Sequence, residues 1–148
     1  MTFRTSAGTK LYVSAIAPGA FTGVAFAALD WALVGLVENL GSFGAQFDLV
    51  TFTPLAERVV QKKKGSVNYG QISPSIAIDD EDDGQAICEP GAESDNDYYF
   101  KIELQSGTVY YITGQIMQWM INIGATNDVT KVTMPIEITR KPVKVAAA

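Results

Sequence analysis

The chain has 148 residues, enough for one domain that buries a core without staples. It contains no histidine and one cysteine, Cys88, which excludes Ser-His and Cys-His nucleophiles, His-ligated metals, an internal disulfide and a thiolate zinc site. Net charge is −5 and charged residues are 18% of the chain, against roughly 25% in a typical soluble domain, so part of the surface is expected to be buried against other copies.

Val and Ile together number 25, Thr 12 and Leu only 8. Branched side chains favour pleated sheet, so a mainly β fold is expected. Residues 1–10 are polar and small and read as an arm. Leu11-Tyr12-Val13 is a short strand candidate, and Ala15 to Gly23 reads as a loop. Phe26 to Leu40 is ambiguous between helix and strand. Strand–turn–strand is the preferred reading of Leu33 to Thr53, with Gly41-Ser42-Phe43-Gly44 as the turn and Gln46 to Leu55 as the second strand.

Residues 57–70 hold Lys62-Lys63-Lys64-Gly65 and read as a long loop, the end of an extended hairpin. Ile72, Ile76 and Ile78 then share one parity, and Pro74 marks that strand as bent or at an edge. Five consecutive acids, Asp79 to Asp83, open the best helix candidate, 79–88; acids in a first turn face the positive end of the helix dipole. That helix is expected to stop before Pro90-Gly91. Tyr98, Phe100, Ile102 and Leu104 alternate with polar or aromatic neighbours, a half-buried strand. After Ser106-Gly107 the pattern resumes at Tyr110 and Ile112, and its phase flips near Gly114, as a bulge or a bend between sheets would require. Val132, Met134, Ile136 and Ile138 form the last core strand, and 140–148 read as a basic, then alanine-rich, arm.

Two stretches carry no charge, Leu11 to Leu29 and Leu104 to Asn127, but Pro18-Gly19 interrupts the first and glutamines stud the second. Neither is expected to span a bilayer or to act as a secretion signal. Asp79-x-Glu81-x-Asp83-Gly84 imitates the first half of a calcium loop, yet its twelfth position is Pro90 rather than a bidentate Glu. No metal, cofactor or catalytic residue is expected. From Asp79 to Asp97 there are nine acids and no base, while the rest of the chain holds 7 acids and 11 bases. An acidic zone and a lysine-rich one on the same chain can meet head to tail between copies.

The ordered set of features resembles the major tail tube proteins of long-tailed, lambda-like bacteriophages. It comprises Gly8-Thr9-Lys10-Leu11-Tyr12-Val13 after a polar arm, and Trp31 before Leu36-Val37-Glu38-Asn39-Leu40-Gly41-Ser42-Phe43-Gly44. It continues with Lys63-Lys64-Gly65-Ser66, Asp82-Asp83-Gly84-Gln85-Ala86-Ile87, Tyr99-Phe100-Lys101-Ile102, Ser106-Gly107-Thr108-Val109-Tyr110, Gly114-Gln115-Ile116 and Arg140-Lys141-Pro142-Val143. The resemblance covers almost the whole chain and implies one tail-tube domain over 1–148. Its expected fold is two packed antiparallel sheets, a β-sandwich, with one short flanking α-helix, a long hairpin loop and extended arms at both termini.

The resemblance further implies a structural subunit rather than an enzyme. Six copies form a ring, rings stack around a tape-measure protein, and tail terminator and tail tip proteins close the ends. DNA then passes through the lumen without specific binding during ejection. Such a protein is made in the bacterial host cytoplasm and resides in the virion. Lys62, Lys63, Lys64 and Gly65, with Arg4, Lys10, Arg140, Lys141 and Pro142 of the arms, are the implied inter-ring contacts. Asp82, Asp83, Gly84 and Gln85 begin the flanking helix. Two alternatives stay open: a related tube protein of a type VI secretion or contractile-tail system, and a small OB-like module binding single-stranded nucleic acid through Tyr98, Tyr99, Tyr110, Tyr111 and the lysines.

Overall fold

The computed structural model describes residues 3–147. Its elements are, in order, β1 Lys10–Ser14, α1 Gly23–Ala27, β2 Ala32–Val34, β3 Val37–Asn39, β4 Gln46–Phe52, β5 Gln61–Asn68, β6 Gln71–Ile72 and β7 Ser75–Ala77. They continue as α2 Asp83–Gly91, β8 Tyr98–Glu103, β9 Val109–Ile116, β10 Met120–Asn122, β11 Lys131–Thr133, β12 Ile136–Ile138 and β13 Val143–Val145. The fold is mainly β and sandwich-like, as expected. One antiparallel sheet runs β2-β1-β8-β9-β12-β6, with β13 added to β9; the other runs β10-β11-β7-β3. β4 and β5 pair with each other in a separate two-stranded sheet.

The alternation seen in the sequence builds the core. Leu11 and Val13 of β1, Phe100 and Ile102 of β8, Ile112 and Ile116 of β9 and Ile136 of β12 all point inward and meet Ile76 of the second sheet. A smaller cluster covers the outer face of the large sheet. There Phe26 of α1 stacks on Tyr111 with ring centroids 5.1 Å apart, Tyr99 joins them, and the Trp31 indole donates to the Phe26 carbonyl at 2.8 Å. The ambiguous stretch 26–40 thus resolves into the end of a short helix and two short strands in different sheets.

The chain passes from one sheet to the other at four close-set corners, after β2, β6, β9 and β11, as an orthogonal or barrel-like sandwich needs. Two of these corners carry proline, between β6 and β7 at Pro74 and between β11 and β12 at Pro135. A proline lacks the N–H to continue a ladder, but its carbonyl still accepts. Met134 N donates to the Pro74 carbonyl at 3.1 Å, and Met117 N donates to the Pro135 carbonyl at 2.9 Å.

The third corner corrects an expectation. β9 does not flip at Gly114; it runs through to Ile116, and the break falls at residues 117–119. Gly114 serves the packing of strands instead. A Cβ there would sit 2.5 Å from the Glu137 carbonyl oxygen, so the residue lets β12 approach.

Three further expectations are corrected. Residues 61–68, expected within a loop, are the second arm of the hairpin, because β4 supplies a pairing partner along their length. The flanking helix is Asp83–Gly91 rather than 79–88, and it contains Pro90. That proline lies in the last turn, so the N–H bond it lacks falls at the helix end. Gly91 seats the helix end on the sheet, since a Cβ would lie 2.7 Å from Ile116 Cδ1. The C-terminal segment is no free arm at 143–145: β13 pairs with β9, Val143 opposite Tyr111 and Val145 opposite Val109.

Candidate assembly surfaces

The β4–β5 ribbon projects from its chain. Its register pairs Gln46 with Asn68 and Phe47 with Val67, shifts at a bulge, then pairs Leu49 with Lys64, Val50 with Lys63, Thr51 with Lys62 and Phe52 with Gln61. Asp48 at the bulge accepts from the Ser66 hydroxyl at 2.8 Å. Gly65 is needed beside it, since a Cβ would press on Val50 Cγ2 at 2.8 Å. Opposed residues share a face, so Lys62 and Lys64 lie with Thr51 and Leu49, and Lys63 lies with Val50. The Lys64 ammonium also sits 4.6 Å from the centre of the Phe47 ring.

No residue of β4 is buried, and of β5 only Gly65 is less than exposed. Leu49 at 65%, Phe52 at 64% and Leu55 at 106% of full exposure put apolar groups on the arms and at the tip. A two-stranded ribbon is marginal alone in water. Contiguous exposed apolar surface is what contacts with other molecules use.

The other polar constellation holds the helix. Asp82 caps α2, its Oδ2 accepting from Gln85 N at 3.0 Å and from Gly35 N at 3.1 Å. Gln85 is buried. Its amide donates to the carbonyls of Gly35 at 3.2 Å and Ala77 at 2.9 Å, and its Oε1 accepts from Asp79 N at 3.0 Å. The helix start is thereby tied to the β2–β3 turn and to the end of β7. Gly84 permits the closeness, because a Cβ there would collide with the Leu33 carbonyl. The same turn holds Leu36 at φ 59, the one non-glycine with positive φ among the described residues. The sequence placed Asp82, Asp83, Gly84 and Gln85 at the start of the flanking helix and did not show Gln85 as the buried link. Its single signal was a glutamine at the third helical position after a capping Asp.

Cys88 is fully buried on α2, and burial, with a smaller push from Asp82, raises its thiol to about 12. It is an unreactive packing residue. Among the described residues no three Cys, Asp or Glu side chains are placed to hold a metal.

Two clefts open on the surface. One, of about 280 Å³, lies at an end of the sandwich between Thr9, Val37, Leu40, Phe43, Leu104 and Tyr110. The other, of about 160 Å³, lies between α2 and β10 and is lined by Ile78, Asp79, Asp80, Glu89, Trp119 and Ile121. Met117, Met120 and Ile123, in and around β10, are exposed.

The remaining sequence-selected residues are scattered. Arg4, Lys10 and Lys141 are exposed and Pro142 is half-buried. The Arg140 guanidinium lies 3.8 Å from the centre of the Phe21 ring, holding the C-terminal segment near α1. The one ion pair among the described residues joins Lys131 and Glu38 at 2.7 Å. Neither the nine acids of 79–97 nor Lys62, Lys63 and Lys64 have an ion-pair partner among those residues. Tyr98, Tyr99 and Tyr111 are buried and Tyr110 is half-buried, so the tyrosines offer no row of stacking platforms. Burial raises the Tyr99 and Tyr111 phenols, with nearby acids adding to it.

No family model and no curated protein matches the chain. Among solved structures it is similar to a chain in the cryo-EM structure of the anti-feeding prophage (AFP) baseplate, 6-fold symmetrised. The TM-score is 0.74 at 10% sequence identity, over 99% of this chain and 97% of that one. The likeness is one of fold. It extends end to end, so the ribbon and both terminal segments fall within it.

Proposed function

We propose that the chain is a structural subunit of a phage tail or phage-tail-like particle, a tube protein whose copies close into rings of six that stack. The observation that carries this reading is the uncovered β4–β5 ribbon on this fold: its apolar faces find no cover in their own chain. The whole-length likeness to a chain of a sixfold-symmetrised prophage baseplate supports it, as does the low content of charge, 18%. The role is assembly and conduit rather than catalysis. A tape-measure protein fills the lumen, tail terminator and tip proteins close the ends, and DNA later passes. An acidic subunit suits that passage, because neutralising many phosphates would hold the DNA in place. The reading covers long non-contractile tails and contractile systems alike.

Electron microscopy of the concentrated full-length protein tests it. Sixfold rings or tubes are the expected result. A protein that stays monomeric at every concentration overturns the reading, and a monomer that binds single-stranded oligonucleotide at low salt would replace it with the nucleic-acid-binding one.

A further inference from the structure

We propose that the β4–β5 ribbon of one copy docks into the cleft between α2 and β10 of the next copy. This rests on the self-assembling reading above and adds the acceptor surface.

Three observations converge. The ribbon offers apolar side chains interleaved with Lys62, Lys63 and Lys64, none of them covered by its own chain. The cleft offers the matching composition: Trp119, Ile121 and Ile78 as apolar lining, with Asp80 and Glu89 of the same lining exposed. Neither set of charges has an ion-pair partner among the described residues, where Lys131–Glu38 is the one pair formed.

The two surfaces are different patches of the same chain, so the contact is heterologous. Such contacts close into rings or run on as helical stacks rather than stopping at a dimer. The division of labour follows from the chemistry. Apolar burial supplies most of the adhesion, while the lysines and acids set register and speed encounter. The network around Gln85 and Asp82 holds the acceptor, because it ties α2 to the β2–β3 turn at Gly35 and to the end of β7 at Ala77.

Charge exchange between the full-length chains tests the proposal. One variant carries Lys62→Glu, Lys63→Glu and Lys64→Glu; the other carries Asp80→Lys and Glu89→Lys. All five positions are exposed, and retained β-sheet circular dichroism confirms folding. Each variant alone is expected to raise the concentration needed for assembly by at least about tenfold, read by sedimentation. Mixed one to one, they should assemble again. The acidic ribbon of the first then meets the basic cleft of the second, and the unaltered ribbon of the second meets the unaltered cleft of the first. A chain carrying all five changes should also assemble by itself.

If the wild-type chain assembles but either variant assembles equally well, the docking proposal is overturned while the tube reading stands. If both variants fail and neither the mixture nor the five-fold chain is rescued, the ribbon's acceptor lies elsewhere, and again only the docking proposal falls. If the wild-type chain never assembles, both fall.

Discussion

β8 and β5 are both antiparallel strands, β8 paired on both edges and β5 on one, and they live in opposite surroundings. In β8, Tyr98, Tyr99, Phe100 and Ile102 are buried, because one face meets the sandwich core and the other, through Tyr99, meets Phe26 of α1. In β5, Gly65 alone is less than exposed, and its partner β4 is exposed throughout. Yet β4 and the loop after it carry Phe47, Leu49, Val50, Phe52 and Leu55, a composition that would suit a core strand. The contrast separates two uses of apolar residues. Those of β8 fold the chain, while those of the ribbon stay exposed and, on the proposed reading, serve a contact with another chain.

The largest effects should divide along that line. Phe100→Ala should cost about 3–5 kcal/mol of unfolding free energy in chemical denaturation, from lost burial plus the cavity it leaves. Replacing residues 46–68 by two glycines should leave the stability of the rest within about 1 kcal/mol and abolish assembly in sedimentation. The mirror result, an unfolded protein after excision, would show that the ribbon belongs to the fold. A point change draws the same line: Phe52→Ser should leave monomer stability near its starting value and weaken assembly.

Gln85 comes next. Replacing it by Leu leaves the Gly35 and Ala77 carbonyls and the Asp79 N–H without their partner. A loss of about 1–3 kcal/mol is expected from such unsatisfied groups. Amide exchange should quicken in α2 and the 35–36 turn and stay slow in β8 and β9. A uniform increase would mean that α2 is part of the core unit rather than a separately docked element.

Much of the sandwich was legible because burial on one face writes a two-residue period. Tyr98 to Leu104 and Val132 to Ile138 show it plainly, and the structure uses both. What the period could not show was where a strand changes sheets, since Ile76 and Ile72, or Met134 and Ile136, stay buried through the corner. The ribbon's second arm was illegible for the opposite reason. Lys62-Lys63-Lys64-Gly65 has no apolar face and low strand propensity, so its conformation comes from pairing with β4. β13 is three residues after a proline, too short to carry a pattern. Gln85 was hidden by its neighbours: a glutamine just after five acids reads as polar surface, and only the tertiary approach of Gly35 and Ala77 pairs its amide inside the fold. Of the candidate contacts, the lysines were legible as a group, and the cleft that would receive them was not.

Alkaline titration gives a smaller effect inside the core. The Cys88 thiol stands at about 12 in the fold against 9.0 as its ordinary value, chiefly from burial. Its folded value is raised, so the folded state holds the proton more tightly. The contribution is complete below pH 9 and declines as the pH climbs toward 12. At pH 10 the loss is on the order of 1 kcal/mol. It should appear as the difference in denaturation between the wild type and Cys88→Ala, which cancels the tyrosines and lysines. A difference that does not change between pH 8 and pH 10 would place the thiol in contact with solvent.

Leu36 is where the two regions' logic meets on one residue. Its φ of 59 lies in the left-handed region, where a branched, bulky side chain is strained. Its side chain is 58% exposed, so folding gains little from burying it. Its backbone nonetheless holds the turn in place, with the Leu36 carbonyl accepting from Ala77 N at 3.0 Å. Glycine suits that backbone without strain but is more flexible when unfolded. The two terms oppose, and Leu36→Gly should change monomer stability by less than about 1 kcal/mol, toward greater stability. If the side chain has no use between copies, assembly should follow stability and be unchanged or slightly improved. If assembly falls while the monomer becomes more stable, Leu36 belongs with the ribbon's residues, an apolar group kept outward at a conformational cost for a neighbour to cover.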